Sequence, residues 1–354
     1  MAGTITIGVR PVHIYQRRFD SADLAVALQN SHLYLITRRP QVRLDPASVL
    51  SKPYGVKVDV VSRREGHAEE WRQRIVIPAP DGEVISSFRL HADGSYFSLS
   101  SGDRTIHGDA WAFASFFMDA NEEIAGQEVM YVGKAYGQDG SSNVWERTRK
   151  HETLSRIYED HLPGGWDVFV TPLEVEYATM SSADHINDYD DGPDLFGAYY
   201  GRYVEMETGR VLGPGIDLAE HAMIAYFVPH YNKNLLEWCA AKPTKDMQTM
   251  RSGGFRLLHV HFNGWWGLSR FYSRQVPAKV RSHLISHDLP PNPSSSVTRG
   301  IGSADLVSWR AQLSLVANGH EIFASDAERA GVALRVFGER APEERRPPEV
   351  ILDR

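Results

Sequence analysis

The chain has 354 residues, 42% hydrophobic and 23% charged, and its 38 basic against 45 acidic side chains give a formal net charge of −7. That composition excludes a wholly disordered chain and a histone-like basic coat, and no apolar run approaches the ~18–20 residues that span a bilayer. At about 100–200 residues per domain the length implies two or three domains with real cores. The single cysteine, Cys239, allows neither an internal disulfide nor a cysteine zinc cluster, and the opening MAGTITIGVRPVH has no charged leader or apolar core. The expectation is a cytoplasmic protein with no membrane partner.

Residues 1–107 read as a β-rich N-terminal module, because β-branched and aromatic runs recur between turn signals at Ile5 to Tyr15, Leu33 to Thr37, Val56 to Val61 and Ile75 to Ile77. In FRLHADGSYFSL, Asp93-Gly94 predicts a two-residue type I′ hairpin turn. Residues 108–240 mix strand-like runs (AFASFFM, EVMYVG, WDVFVTPLEV) with helical patterns (VWERTRKHETLSRIYEDH, LAEHAMIAYFV), which reads as α+β. Within them a polar stretch at about 176–216, containing DHINDYDDGPD, reads as an exposed insertion. A basic and aromatic region fills 241–338, and 339–354 reads as a disordered tail.

Three segments carry chemistry. In EVMYVGKAYG an apolar strand runs into Gly133, which would let the backbone turn sharply, with the mobile cation Lys134 beside it. A core tyrosine followed by a glycine turn explains the segment equally well. In VWERTRKHETLSRI, Arg147 and His151 lie four residues apart, on one helix face, with Arg149, Lys150 and Arg156 near them; such faces are commonly just solvated. In DLAEHAMIAYFVPHYNKN a helix opens at Asp217 and closes at Pro229, with Asn232 beyond it. Asp217 and Glu220 there also resemble a capping box, which does no chemistry.

Together the three segments resemble the GIY-YIG nuclease family. That family's last motif runs glutamate, an apolar pair at +3 and +4, proline at +9 and asparagine at +12. Glu220, Met223-Ile224, Pro229 and Asn232 stand at those offsets, and Tyr131-Val132-Gly133-Lys134 matches its YIG element. Arg147 and His151 match the family's arginine helix, with Arg149 a rival for the arginine because the loop after Gly133 is long. The first element, GIY, would fall on AFASFFM, where Phe116 or Phe117 replaces the tyrosine. The resemblance spans about 125 residues and implies a small antiparallel sheet flanked by helices.

It further implies a metal-dependent endonuclease that hydrolyses phosphodiester bonds. Glu220 would hold one Mg²⁺ or Mn²⁺ per active site, because Mg²⁺ keeps most of its waters and needs few protein ligands. Arg147 would bind the scissile phosphate, and Lys134 would be a second cation able to depress a phenol's pKa. The general base is open between Tyr131 and His151, and Asn232 either orients groups around Glu220 or caps its helix. From Arg251 to His287 there are six Lys or Arg and no Asp or Glu, among Phe255, Phe262, Trp265, Trp266, Phe271 and Tyr272. With Arg149, Lys150, Arg256, Arg270 and Arg274 this reads either as a nucleic-acid-binding surface or as an aromatic core whose cations reach outward. His259 and His261 alternate on one strand face, a spacing for metal ligation or simple hydrogen bonding. DNA is the expected substrate, with RNA or a nucleotide messenger as rivals, and an inactive nucleic-acid-binding domain is the competing reading. Restriction or anti-phage defence is the role by analogy, and cutting both strands of a duplex would favour a homodimer.

Overall fold

The computed structural model describes residues 3–14, 22–53, 55–63, 71–79, 84–91, 93–111, 126–137, 142–182, 201–205, 207–236, 238, 244–252, 255–263, 270–277, 282–289 and 349–351. They begin with strand β1 (Gly3–Pro11), helix α1 (Ala22–Ala27) and strand β2 (Leu33–Leu44). Six strands follow: β3 (Leu50–Lys52), β4 (Gly55–Arg63), β5 (Trp71–Pro78), β6 (Ile85–His91), β7 (Tyr96–Ser101) and β8 (Arg104–Asp109). After β9 (Gly126–Lys134) come helices α2 (Val144–Thr148) and α3 (Glu152–His161), then β10 (Trp166–Ser182) and α4 (Gly213–Phe227). Helix α5 (Lys245–Ser252) and strands β11 (Phe255–Asn263), β12 (Arg270–Tyr272), β13 (Ser282–Asp288) and β14 (Glu349–Ile351) complete the chain. The protein is mixed α+β, rich in strand and sparing in helix. No helix among the described residues is long and apolar enough to cross a membrane.

The chain divides into two compact units: 1–38 with 127–159 and 168–319, and 39–126 with 160–167 and 320–354. The division differs from the expected boundary at 107/108. Strand β1 pairs with β10 and β11, and the first half of β2 pairs with β9, while the second half of β2 pairs with β4.

In the first unit the strand order is β12-β9-β2-β10-β1-β11-β13. The β1–β11 pair is parallel, whereas β1–β10, β2–β9 and β11–β13 are antiparallel, so the sheet is mixed and larger than the expected small antiparallel one. Strand β10 runs on to Ser182, so the expected insertion begins inside a strand; 183–200 lie outside the described residues. Alternation sorts the side chains to two faces. Leu33, Leu35, Val129 and Val132 join Ile5, Ile7, Leu258 and Val260 in the core with Leu218, Ala222 and Met223 of α4. Tyr34, Ile36 and Met130 join Val144 of α2 and Leu154 and Ile157 of α3 in a second core.

The basic aromatic region becomes α5 and strands β11 to β13. Phe255, Phe262 and Phe271 are buried there, as the aromatic-core alternative expects; Trp265 and Trp266 lie outside the described residues.

The second unit has its own core of Val42, Val58, Ile77, Phe88, Leu99 and Trp111, among others. Fully buried Arg39 ion-pairs with Asp109 at 2.9 Å and lies 3.8 Å from the Trp111 ring centroid; burial pushes its pKa down to about 10. The hairpin at Asp93-Gly94 joins β6 to β7, but its loop is four residues, not two, and Asp93 anchors it by accepting from Ser95 N and Oγ. Glu349–Ile351, in the segment expected to be disordered, pairs with β6.

Candidate active site

Strands β2 and β9 lie antiparallel with Leu33 opposite Lys134, Tyr34 opposite Gly133, and Ile36 opposite Tyr131. Tyr34 and Tyr131 are therefore diagonal neighbours on one face, with ring centroids 6.0 Å apart. Gly133 sits between them inside the strand. A Cβ there would lie 2.6 Å from Tyr131 Cε1 and 2.6 Å from both Cζ and Oη of Tyr34. Its glycine is demanded by the two rings and not by a sharp turn, which corrects the sequence expectation. Phe116 and Phe117, the expected occupants of the first tyrosine's place, lie outside the described residues.

The helical pattern after β9 forms two helices, broken at 149–151. The break has a chemical cause: Nδ1 of His151 accepts the N–H of Leu154 at 3.0 Å, so the imidazole takes the N-cap place of α3. His151 is buried and held neutral with its pKa lowered to about 4, by burial first and by the nearby Arg147 second. With Nδ1 committed as acceptor, the proton sits on Nε2. The ring stands edge-on to both tyrosines, 5.8 Å from Tyr34 and 5.2 Å from Tyr131.

Arg147, in the last turn of α2, donates a hydrogen bond to the Tyr34 hydroxyl, and Tyr34 in turn donates to Tyr131. Burial raises the pKa of both phenols, and Arg147 opposes the rise at each. Of the rival arginines, Arg147 is thus the one joined to the tyrosines. Arg149 is exposed and lies 5.8 Å over the Trp145 ring, and Lys150 beside it is also exposed.

Helix α4 begins four residues ahead of Asp217, with Leu212 as N-cap and a proline in its first turn. Asp217 and Glu220 therefore lie inside the helix, and the capping-box alternative falls. The Lys134 backbone N–H donates to the Glu220 carboxylate, while the Lys134 ammonium pairs with Asp217. This is a second correction: the cation beside the phenols is Arg147, and Lys134 serves the two acids. Glu220 is held up at about 7, chiefly by burial; Asp217 adds to the rise, and Lys134 and Arg147 oppose it.

Asn232 does not cap α4, which closes on Val228 in the left-handed region; its side chain binds the backbone of β9 instead. Its Oδ1 accepts from Val132 N and its Nδ2 donates to Val132 O, both at 2.9 Å, while Tyr231 N donates to Met130 O. Residues 231–232 thus extend the edge of β9 beside the tyrosine.

The remaining candidates make other contacts. Arg256 is half-buried and donates to the carbonyls of Arg251 and Phe255; Arg270 is half-buried and Arg274 exposed. His259 hydrogen-bonds Ser286 Oγ at 2.8 Å and His261 faces the Tyr177 hydroxyl at 3.4 Å. These are hydrogen-bonding histidines, and the described residues include no group of three or more His, Cys, Asp or Glu placed to share a metal ion.

No protein-family model, curated protein or solved structure matches the chain. The chemistry of the site has to be argued from its own geometry. Tyr34 is the residue that sequence reasoning missed. Its signal was present, since SHLYLITRR places a tyrosine in an apolar strand, but residues 39–126 separate it from Tyr131 along the sequence.

Proposed function

We propose that the protein is a metal-dependent phosphodiester hydrolase of GIY-YIG type that acts on nucleic acid. The observation carrying this reading is the convergence of Tyr34, Tyr131, Arg147, His151 and Glu220, drawn from β2, β9, α2, the α2–α3 break and α4, in one electrostatically connected cluster. Tyr34 is read as the tyrosine of the family's first element, displaced along the chain by an inserted unit. The rival reading, an inactive binding domain, drew its support from the absence of that tyrosine.

The donor set fits a single hard divalent cation. Glu220 offers a carboxylate whose burial is offset by nothing stronger than a backbone N–H and neighbouring charges, while Asp217 is already engaged by Lys134. One carboxylate is adequate for Mg²⁺ or Mn²⁺, which complete their shells with water and phosphate oxygens. When bound there, the ion supplies Lewis acidity to a phosphoryl oxygen and the leaving oxygen.

The protein's own groups divide the rest of the work. Arg147 donates charge-assisted hydrogen bonds to the phosphate as negative charge gathers on it. Tyr131, as the phenolate left when its own proton is lost to solvent, takes the proton of the attacking water and returns to the neutral phenol. Its oxygen accepts from Tyr34, which accepts from Arg147, so a phenolate forming at Tyr131 is stabilised along that line. His151 is the weaker base, because Nδ1 is occupied by Leu154 N–H and Nε2 carries the proton; it serves as a donor toward the tyrosines. Arg149 and Lys150, exposed on the same helix end, suit contact with flanking phosphates.

DNA is the proposed substrate, and a role in restriction or phage defence is proposed by analogy with the family. The test is cleavage of supercoiled plasmid, single-stranded DNA and RNA with Mg²⁺ or Mn²⁺, wild type beside Glu220→Ala. Cleavage by wild type alone supports the hydrolase and identifies its polymer. If neither protein cuts any of the three, the reading fails.

A further inference from the structure

Lys134 reaches two carboxylates of α4 through two different atoms. Its backbone N–H serves Glu220, and its ammonium is paired with Asp217. Asp217 precedes Glu220 by three residues, so both acids lie on one helix face. The pair is partly withdrawn from water, with side-chain exposures of 31% for Lys134 and 27% for Asp217. An ammonium in such a place seeks a carboxylate at close range, since attraction is stronger where screening is weak. Without Asp217 the nearest acid on that helix face is Glu220, whose carboxylate already lies against the lysine's own backbone. A lysine paired directly with Glu220 would occupy the oxygens that a divalent ion needs, and two cations cannot share them without repulsion.

We propose that Asp217 is a positioning residue, which holds the Lys134 ammonium aside from Glu220 and so leaves that carboxylate open to a divalent cation. The inference rests on the metal-dependent reading above. Asp217 touches neither the ion nor the phosphate; it acts through Lys134. The arrangement also keeps Lys134 charged and fixed at the rim of the site, where a free lysine would spend its conformational freedom among several partners.

The decisive experiment is calorimetric titration of Mn²⁺ alone, at pH 8, into wild type, Asp217→Asn, Asp217→Glu, Lys134→Gln and the double variant Asp217→Asn/Lys134→Gln. The thermal midpoint of each protein is recorded to verify folding, and Asp217→Ser replaces Asp217→Asn if the latter does not fold. Asp217→Asn is expected to bind Mn²⁺ about 10- to 100-fold more weakly, the usual range for losing a group that orients a metal site from outside it. Asp217→Glu should retain most of the affinity. Removing Lys134 from the Asp217→Asn protein should restore it, because there is then no ammonium to compete. Unchanged affinity in Asp217→Asn overturns the inference, as does a double variant as weak as Asp217→Asn, which would place Asp217 directly on the ion. Absence of Mn²⁺ binding by wild type instead sinks the metal-dependent reading itself, so the two failures are distinguishable.

Discussion

Tyr34 and Tyr131 face each other across the β2–β9 ladder with ring centroids 6.0 Å apart, although residues 39–126, the longest segment of the second unit, intervene between them in the sequence. The space they share is the space of a missing side chain at Gly133. A methyl group there collides with both rings, including the Tyr34 hydroxyl. Gly133→Ala is therefore expected to destabilise the protein by about 1–3 kcal/mol, the range for overpacking a filled interior. Chemical denaturation measures it, and an alanine variant as stable as wild type would mean the rings move aside freely.

If the line from Arg147 through Tyr34 to Tyr131 prepares a phenolate, its two tyrosines differ in weight. Tyr131→Phe removes the proton acceptor and should reduce single-turnover cleavage by about 10²- to 10⁴-fold. Tyr34→Phe removes one donor to that acceptor. It should cost less and move the alkaline rise of the pH–rate profile upward, because the Tyr131 phenolate loses a hydrogen bond. Equal losses with unshifted profiles would argue that neither phenol transfers the proton.

Part of this was legible in the sequence for physical reasons. Strand β9 announces itself by alternation around Tyr131, and the offsets from Glu220 to Asn232 are short enough that one helix and its exit fix them. The α+β class followed from the same periodicities. Tyr34 was hidden because strand pairing has no fixed reach along the chain: the pairing Tyr34 opposite Gly133 is local in space alone. The start of α4 was misplaced because Asp217 looks like a cap, whereas Pro214 in the first turn was the better signal. Composition could not separate a stacking platform from a core, since Phe255, Phe262 and Phe271 carry the same residue type in either place.

Glu220 makes stability depend on pH in a definite direction. Its folded-state pKa, about 7, lies above the ordinary 4.5, so the folded protein prefers the protonated acid. The stability tied to that proton is complete below pH ~4.5 and is lost as pH rises through ~7. Glu220→Gln mimics the protonated form and should be more stable than wild type at pH 8 by up to about 3 kcal/mol, with little difference near pH 4.5. Urea midpoints measured with EDTA present test this; a variant no more stable than wild type at pH 8 removes the premise of a buried carboxylate.

His151 works in the opposite sense. Its folded-state pKa, about 4, lies below the ordinary 6.5, so its contribution is complete above pH 6.5 and is lost as pH falls through 4. Between pH 8 and pH 5 this costs wild type roughly 2 kcal/mol, which His151→Asn should not lose because its amide does not titrate. Asparagine also keeps an oxygen for the Leu154 N–H. His151→Ala escapes the titration as well but gives up the cap, a further penalty of about 1 kcal/mol at every pH. The contrast between the two variants separates capping from titration.

Asn232 is placed to test whether the edge of β9 must be held for the tyrosine to function. Its amide uses both ends on one residue, accepting from Val132 N and donating to Val132 O at 2.9 Å each. Asp is nearly the same size yet has no donor, and it would set an anionic oxygen against the Val132 carbonyl. Asn232→Asp should therefore destabilise at pH 8 at least as much as Asn232→Ala, by about 1–3 kcal/mol for a buried carbonyl left unpaired. Lowering the pH protonates the new carboxyl, returns a donor, and should recover part of the loss for the aspartate variant but none for alanine. Amide hydrogen exchange at Val132 reads the same event locally. Faster exchange in both variants, with recovery at low pH in Asn232→Asp alone, is the expected pattern. Exchange at Val132 unchanged from wild type in Asn232→Ala would show that β9 keeps its edge without the clamp.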